Sequence, residues 1–305
     1  MLLPIDERIP VTPTVIPPWT QAVPGMHVLY ADRDDQYRIQ LTTHVPYLQR
    51  HRPLYMDFLS MKTPLPGKRY PAVLYIPGSG WMSQDLHGRI PELVEVARCG
   101  YLVANMEYRH TEEGQRFPAQ VEDAKSAIRF LRAHADELNL DPDRIAVWGD
   151  SSGAHTALMA GLSDPDAFVT ADNPGFSSSV RCIVNYYAPT DFLDAARQPS
   201  GIDHTTDQSI EGKLLGAPPA SVPELARQAN PLTYISPDRP APPVLSIHGD
   251  RDDLIPFRQS VALHEALLVC GHSSDFYMVR NGGHGFGTWN RQVLQITKDF
   301  LQAHL

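Results

Sequence analysis

Ser151, Asp252 and His284 are side chains that, brought together, turn a hydroxyl into a nucleophile, and each stands in a local sequence suited to presenting it. Ser151 is the centre of Gly149-Asp150-Ser151-Ser152-Gly153, a G-x-S-x-G run that follows the apolar Ile145-Ala146-Val147-Trp148 and precedes Ala154 to Ala160. The motif therefore lies between a strand and a helix, where a sharp turn exposes the serine oxygen. A serine hydroxyl is inert at neutral pH until a base takes its proton and donors await the oxyanion. Ser152 cannot take the nucleophile's place, because that register would need glycine at 150, where the chain has aspartate. As a bare pattern the run also suits a Gly/Ser loop capping a helix, so the weight falls on the parts that follow it in the chain.

The acid comes from the loop after Val244-Leu245-Ser246-Ile247-His248, where Gly249-Asp250-Arg251-Asp252-Asp253-Leu254-Ile255-Pro256 offers three aspartates. Such a cluster also reads as a solvated turn or a metal loop. The spacing H-G-x-x-D-x-x-I-P favours Asp252 over Asp250 and Asp253. Of the 13 histidines, His284 stands out because Asn281-Gly282-Gly283-His284-Gly285-Phe286 follows a strand-like run and completes the order Ser, Asp, His. Its ring is placed to take the Ser151 proton while Asp252 fixes the tautomer and stabilises the imidazolium. The loop Pro77-Gly78-Ser79-Gly80-Trp81, after the strand-like Ala72 to Ile76, can aim backbone N–H groups at one spot, with the N–H of Ser152 as the remaining donor. Trp81 and Phe286 are candidates to stack on a sugar or an aromatic acyl group; the plainer reading makes them wall residues.

These loops need a scaffold that ends several strands at one edge. From Tyr55 onward apolar strand candidates alternate with helical segments, the pattern of an α/β chain with a mostly parallel sheet covered on both faces. The clearest helix begins after Pro118: Val121, Ala124, Ile128, Leu131 and Ala135 form the packing stripe, with Glu122, Asp123, Lys125 and Arg129 expected to face water. We expect residues 1–54 to be an arm, since Pro4, Pro10, Pro13, Pro17, Pro18 and Pro24 block regular helix before a short strand at Tyr37 to Leu41. Residues 55–305 are expected to form the catalytic domain. Within it, residues 191–240 are polar and Pro-rich, with one short helical stretch near Pro223 to Ala229, and read either as a lid over the site or as a surface excursion.

A formal charge of −9 with no basic stripe argues against nucleic-acid partners, which need clustered Lys and Arg, and points to a small, neutral substrate. The 42% hydrophobic content suffices for one large core. Cys99, Cys182 and Cys270 lie far apart, two of them in apolar runs expected to be buried, which favours a reducing compartment. With no basic n-region at Met1 to Glu7 and no run of ~18 apolar residues, we expect a cytoplasmic protein with no membrane partner. A homo-oligomer is left open.

With these residues placed, the chain resembles the α/β-hydrolase superfamily, and within it the esterases related to hormone-sensitive lipase and to the bifunctional xylan esterase/feruloyl esterase domain. The likeness runs from about Tyr55 to the end. It also covers Phe117-Pro118-Ala119-Gln120-Val121-Glu122-Asp123, Asp141-Pro142-Asp143-Arg144-Ile145, Ala188-Pro189-Thr190-Asp191-Phe192 and Ile255-Pro256-Phe257-Arg258-Gln259-Ser260. It implies triad roles for Ser151, Asp252 and His284, and oxyanion donors at Ser79, Gly80 and Ser152. It further implies short-acyl or hydroxycinnamoyl ester substrates, such as acetylated plant saccharides, and the acyl-transfer mechanism calls for no metal or organic cofactor. The chain departs from such relatives in carrying Pro77-Gly78-Ser79-Gly80 where His-Gly-Gly-Gly is usual, which leaves open which N–H groups converge, Trp81 included. The motifs also admit two other readings. A prolyl-oligopeptidase-like peptidase shares the motifs, but residues 1–54 are too few for a gating propeller. A non-catalytic binding protein of this fold is disfavoured by the intact Ser151, Asp252 and His284.

Overall fold

The apolar runs that flank the motifs become neighbours in one sheet. In this computed structural model, which describes residues 20, 21, 23–28, 38–62, 64, 65 and 67–305, the strands are β1 (Ile39–Gln49), β2 (Pro53–Met61), β3 (Tyr70–Ile76), β4 (Leu102–Met106), β5 (Leu140–Asp150), β6 (Ile183–Tyr186), β7 (Val244–Gly249) and β8 (Ser274–Val279). They lie in the order β1-β2-β4-β3-β5-β6-β7-β8. The β1–β2 and β2–β4 pairs are antiparallel and the rest parallel. Because parallel strands need crossovers, helices occupy both faces and the central strands are apolar throughout rather than alternating. Every residue of β3 is buried.

Alternation along β3 and β5 sorts their side chains to two sides. Ala72, Leu74, Ile76, Ile145 and Val147 meet α2 (Ala119–Ala133), α3 (Ser151–Leu162) and α7 (Arg258–Val269) through Ala124, Ile128, Ala157, Leu158 and Leu263. Val73, Tyr75, Ala146 and Trp148 meet α1 (Ile90–Ala97) and α8 (Arg291–His304) through Leu93, Val96, Phe300 and Leu301. The expected α/β architecture is therefore what forms.

The expected boundary at residue 54/55 moves towards the amino end. β1 and the start of β2 pair into the sheet, and a compact unit spans Gln36–Leu305. The strand read at Tyr37 to Leu41 runs on to Gln49, although Tyr37 itself lies outside the described residues. Pro4, Pro10, Pro13, Pro17 and Pro18 also lie outside them. In the unit Met1–Asp35 the described residues include a turn in which the Met26 amide donates to the Val23 carbonyl at 2.9 Å.

α2 carries the expected stripe, but its outward face is not wet. Asp123, Lys125 and Arg129 are buried, because each meets a partner that pattern cannot reveal: Arg109 grips Asp123, Lys125 donates to the Asp164 carbonyl, and Arg129 donates to the Thr170 carbonyl. Of the cysteines only Cys182 is fully buried; Cys99 is exposed and Cys270 intermediate. Residues 191–240 hold α4 (Phe192–Ala195), α5 (Ile210–Leu215) and α6 (Pro223–Gln228), more helix than composition suggested. Their apolar side chains Phe192, Leu214, Leu215 and Ala226 close a third core around Trp81, Val121 and Met159. No helix among the described residues is long and apolar enough to cross a membrane.

α3 starts hard against the end of β3. A Cβ built on Gly153 would lie 2.0 Å from the Ile76 carbonyl oxygen, a backbone atom that cannot swing aside. Gly175, with φ +86° and nothing within 4 Å, needs glycine only for its backbone conformation. We therefore expect Gly153→Ala to cost about 3 kcal/mol and Gly175→Ala about 1 kcal/mol in urea unfolding; equal losses would refute the tight approach.

Candidate active site

The turn from β5 into α3 places Ser151 at φ +52°. A left-handed serine costs about 1–3 kcal/mol, and it persists because the flanking backbone is locked. The glycines on either side do not themselves take positive φ. A Cβ on Gly149 would lie 2.4 Å from the Gly153 carbonyl carbon, so close packing, rather than the bend alone, demands glycine at both places.

The loops after β7 and β8 bring the other two groups to the serine. His284 Nε2 lies 3.0 Å from Ser151 Oγ, and its Nδ1 lies 2.8 Å from Asp252 Oδ2 and 3.1 Å from Oδ1. The three residues read from sequence thus form one hydrogen-bonded line. Asp250 and Asp253 do not join it. Asp250 accepts the Asn281 amide, pinning the start of the histidine loop, while the Asp253 carbonyl accepts the Gly201 amide.

Asp252 has a fully buried side chain with unusually complete satisfaction. Its Oδ1 also accepts the Leu254 and Ile255 amides at 2.9 and 2.8 Å, and His248 Nε2 approaches Oδ2 at 3.3 Å. Burial alone would raise this carboxyl, but hydrogen bonds from His248 and His284 outweigh it and hold it well below the usual carboxylate range. His248, fully buried, has its Nδ1 2.7 Å from Ser260 Oγ and its Nε2 3.0 Å from the Ile255 carbonyl. It therefore fixes the acid as the acid fixes His284. The H-G-x-x-D spacing was its only signal in the sequence.

Of the three oxyanion candidates, Ser79 is already engaged: its amide donates to Ser152 Oγ at 2.9 Å, and its hydroxyl donates to the Met82 carbonyl. Gly80, at φ +63° in the wall of the cavity, has an amide with no acceptor among the described residues. Ser152, in the first turn of α3, has the amide that a helix leaves unpaired at its start. Of these three, Gly80 and Ser152 thus keep free amides, as does the neighbouring Trp81, and Ser79 braces its loop against α3.

The cavity at Ser151 has a volume of about 450 Å³ and an apolar wall from Met82, Ile202, Ile210, Leu254 and Ile255. Neither aromatic expected beside the substrate lines it. Trp81 is 0% exposed, packed edge-on against His155 and Phe192 in the third core. Phe286 is 78% exposed; the glycines around His284 turn it outward.

Behind the serine, Asp150 is a buried carboxylate with its own donors: Tyr75 OH at 2.6 Å, the Gly78 amide at 2.9 Å and Tyr187 OH at 3.3 Å. Tyr187 also stands edge-on to His284, with ring centroids 4.8 Å apart. Sequence gave no reason to pick either tyrosine, since both come from strand ends distant in the chain.

Comparison with known proteins finds relatives along most of the chain. The BD-FAE family model matches residues 59–267. The chain is 28% identical to esterase LipQ of Mycobacterium tuberculosis over 92% of its own length and 64% of that protein, and 31% identical to esterase LipC of the same organism over 80% and 61%. It therefore spans less than two thirds of either relative. Among solved structures, a truncated carbohydrate esterase from gut microbiota superposes with TM-score 0.75 at 27% identity, covering 89% of this chain and 98% of that one. A thermophilic esterase from Thermogutta terrifontis, at TM-score 0.71 and 21% identity over 88% and 95%, shares the fold.

The Asp252 environment predicts a pH signature. A carboxyl whose folded pKa is depressed stabilises the fold fully above its unfolded value, about 3.9, and loses that contribution as pH falls towards the folded value. Through this carboxyl, the stability gap between wild type and Asp252→Asn should therefore shrink by about 2 kcal/mol as pH falls below 4. Denaturant midpoints across that range read it, and a gap independent of pH would mean the carboxylate is not held ionised.

Proposed function

The chain belongs to the BD-FAE family, and from that premise we propose that it is a serine carboxylesterase working through an acyl-enzyme on Ser151. The observation that carries this reading is the unbroken line Asp252–His284–Ser151, with the serine held at positive φ at a strand-to-helix turn. As the Ser151 oxygen attacks an ester carbonyl, His284 Nε2 takes its proton, and Asp252, already ionised, stabilises the imidazolium. The carbonyl oxygen becomes an oxyanion facing the Gly80 and Ser152 amides. His284 then passes the proton to the departing alcohol. Water, deprotonated by His284, clears the acyl group and restores the serine.

The apolar wall suits a short acyl chain, and the likeness to a carbohydrate esterase supports acetylated or hydroxycinnamoylated saccharides as the substrate class. Ile202 and Ile210 bring residues 191–240 to the cavity, so this segment acts as its lid or wall. A cytoplasmic location belongs to the same reading, supported by three free cysteines.

The test is hydrolysis of p-nitrophenyl esters from acetyl to longer chains, with labelling by a fluorophosphonate. Ser151→Ala should lose activity by on the order of 10⁴-fold or more and all labelling, and Asp252→Asn on the order of 10³- to 10⁴-fold, with rates steepest on the shortest acyl groups. Turnover that survives in Ser151→Ala would sink the mechanism.

A further inference from the structure

We propose that Arg89 sets the specificity of this cavity by binding a carboxylate carried on the alcohol part of the ester. The inference rests on the esterase reading and narrows its substrate to esters of acidic alcohols, as in a uronate-containing saccharide.

Arg89 is the only Arg or Lys among the described residues lining the cavity that holds Ser151 and His284. Its side chain stays 34% exposed, and its guanidinium has no hydrogen-bond acceptor among the described residues; the nearest carboxylate, Glu92, is at the 4.0 Å limit of an ion pair. The contrast with Arg109 is instructive: that side chain is spent on Asp123, Glu122 and the Ala119 carbonyl. Asp150 and Asp85, which share a neighbouring recess with Arg89, take their hydrogen bonds elsewhere, Asp150 as above and Asp85 from the His87 amide. Neither forms an ion pair with it.

The unspent donors are nonetheless held in place. Arg89 Cζ lies 4.3 Å from the centroid of the Trp289 ring. That ring is itself fixed, its Nε1 donating to Tyr187 OH at 2.6 Å and its face stacked on Trp148 at 5.4 Å. A guanidinium held over an indole ring keeps its planar fork free for bidentate contact with a carboxylate and is only partly hydrated, which strengthens that contact. A positive group here also offsets the repulsion that a chain of net charge −9 would exert on an anionic substrate.

Geometry assigns the side. A Cβ on Gly285 would lie 3.7 Å from Arg89 Nη2, so the guanidinium abuts the residue following His284. His284 hands its proton to the leaving alcohol, so the alcohol occupies the His284 side of the cavity. The anion that Arg89 meets is therefore on the alcohol.

The experiment compares kcat and KM for 4-acetoxybenzoate and its neutral partner 4-acetoxybenzamide, which share an acyl group and differ in one charge. A second pair, mono-4-nitrophenyl succinate and 4-nitrophenyl butyrate, moves the charge to the acyl side. Wild type should favour 4-acetoxybenzoate by about tenfold or more in kcat/KM, mainly through KM. Arg89→Gln should collapse that ratio and Arg89→Lys keep part of it; a ratio within one preparation is insensitive to any misfolded fraction. No preference in wild type, a preference that survives in Arg89→Gln, or one seen only with the succinate pair would overturn the proposal. Calorimetry of 4-hydroxybenzoate and 4-hydroxybenzamide binding to Ser151→Ala, with and without Arg89→Gln, separates the two readings. Absent turnover on every ester with Arg89-dependent binding of the hydroxybenzoate would retire the esterase reading and keep the anion site; equal binding of the two would remove the anion site as well.

Discussion

Two backbone contacts too close for any side chain hold the site together. At the first, α3 begins against the end of β3, with Gly153 facing the Ile76 carbonyl and Gly78 facing Asp150 and Ser151. This joins the nucleophile turn to the oxyanion loop, since Pro77 to Trp81 follow directly from Ile76. At the second, Gly249 at the end of β7 faces the Gly282 carbonyl, where a Cβ would lie 2.3 Å away. That contact joins the acid loop to the base loop. The parallel sheet ends all these strands at one edge, and the glycines let the loops beyond it interlock without leaving room for relaxation. The strain at Ser151 persists because its neighbours on both sides have nowhere to go.

Around this frame the polar groups are distributed unequally. Asp252 and Asp150 are buried carboxylates that would be costly unsatisfied, and each gathers several N–H or O–H donors. His248 belongs to that accounting, because a buried imidazole held by Ser260 and Ile255 shares its Nε2 between the Ile255 carbonyl and Asp252 and packs against the acid. Arg89 contrasts with them, a cation at the edge of an ion pair with Glu92 whose guanidinium meets no hydrogen-bond acceptor among the described residues. In the proposed esterase, saturation around the acid and spare donors at Arg89 are complementary, since preorganisation serves catalysis while unspent donors serve recognition.

Much of this was legible in the chain. Ser151, Asp252 and His284 could be named from spacing because a strand-end loop has few residues, and the turn chemistry of each is written within a handful of positions. The packing stripe of α2 was equally local, as Val121, Ala124, Ile128 and Leu131 are one helical face whatever lies beyond. Errors came where a long-range partner changes what a residue type means. Asp123, Lys125 and Arg129 look solvated on a helical wheel, yet they are buried by partners on other segments. Trp81 looks available in a site loop, but the helices of residues 191–240 cover it. The sheet reaches further towards the amino end than residue 55 because β1 and β2 are antiparallel edge strands, whose pairing with each other and with β4 no helix pattern announces.

By itself, then, the sequence determined the α/β class, the sheet edge that carries the motif loops and the three residues in line there, all of them consequences of local periodicity and turn stereochemistry. Only the tertiary structure decided which amides remain free, that the Ser79 amide is taken up by Ser152, that His248 and Asp150 pack behind the line, and that the Arg89 guanidinium faces the cavity without a hydrogen-bond acceptor among the described residues. Several of them depend on donors and acceptors from distant stretches of chain, as Tyr75 with Asp150 and Ser79 with Ser152, and the satisfaction of a polar group is a property of its three-dimensional neighbours, which the order of residues does not state.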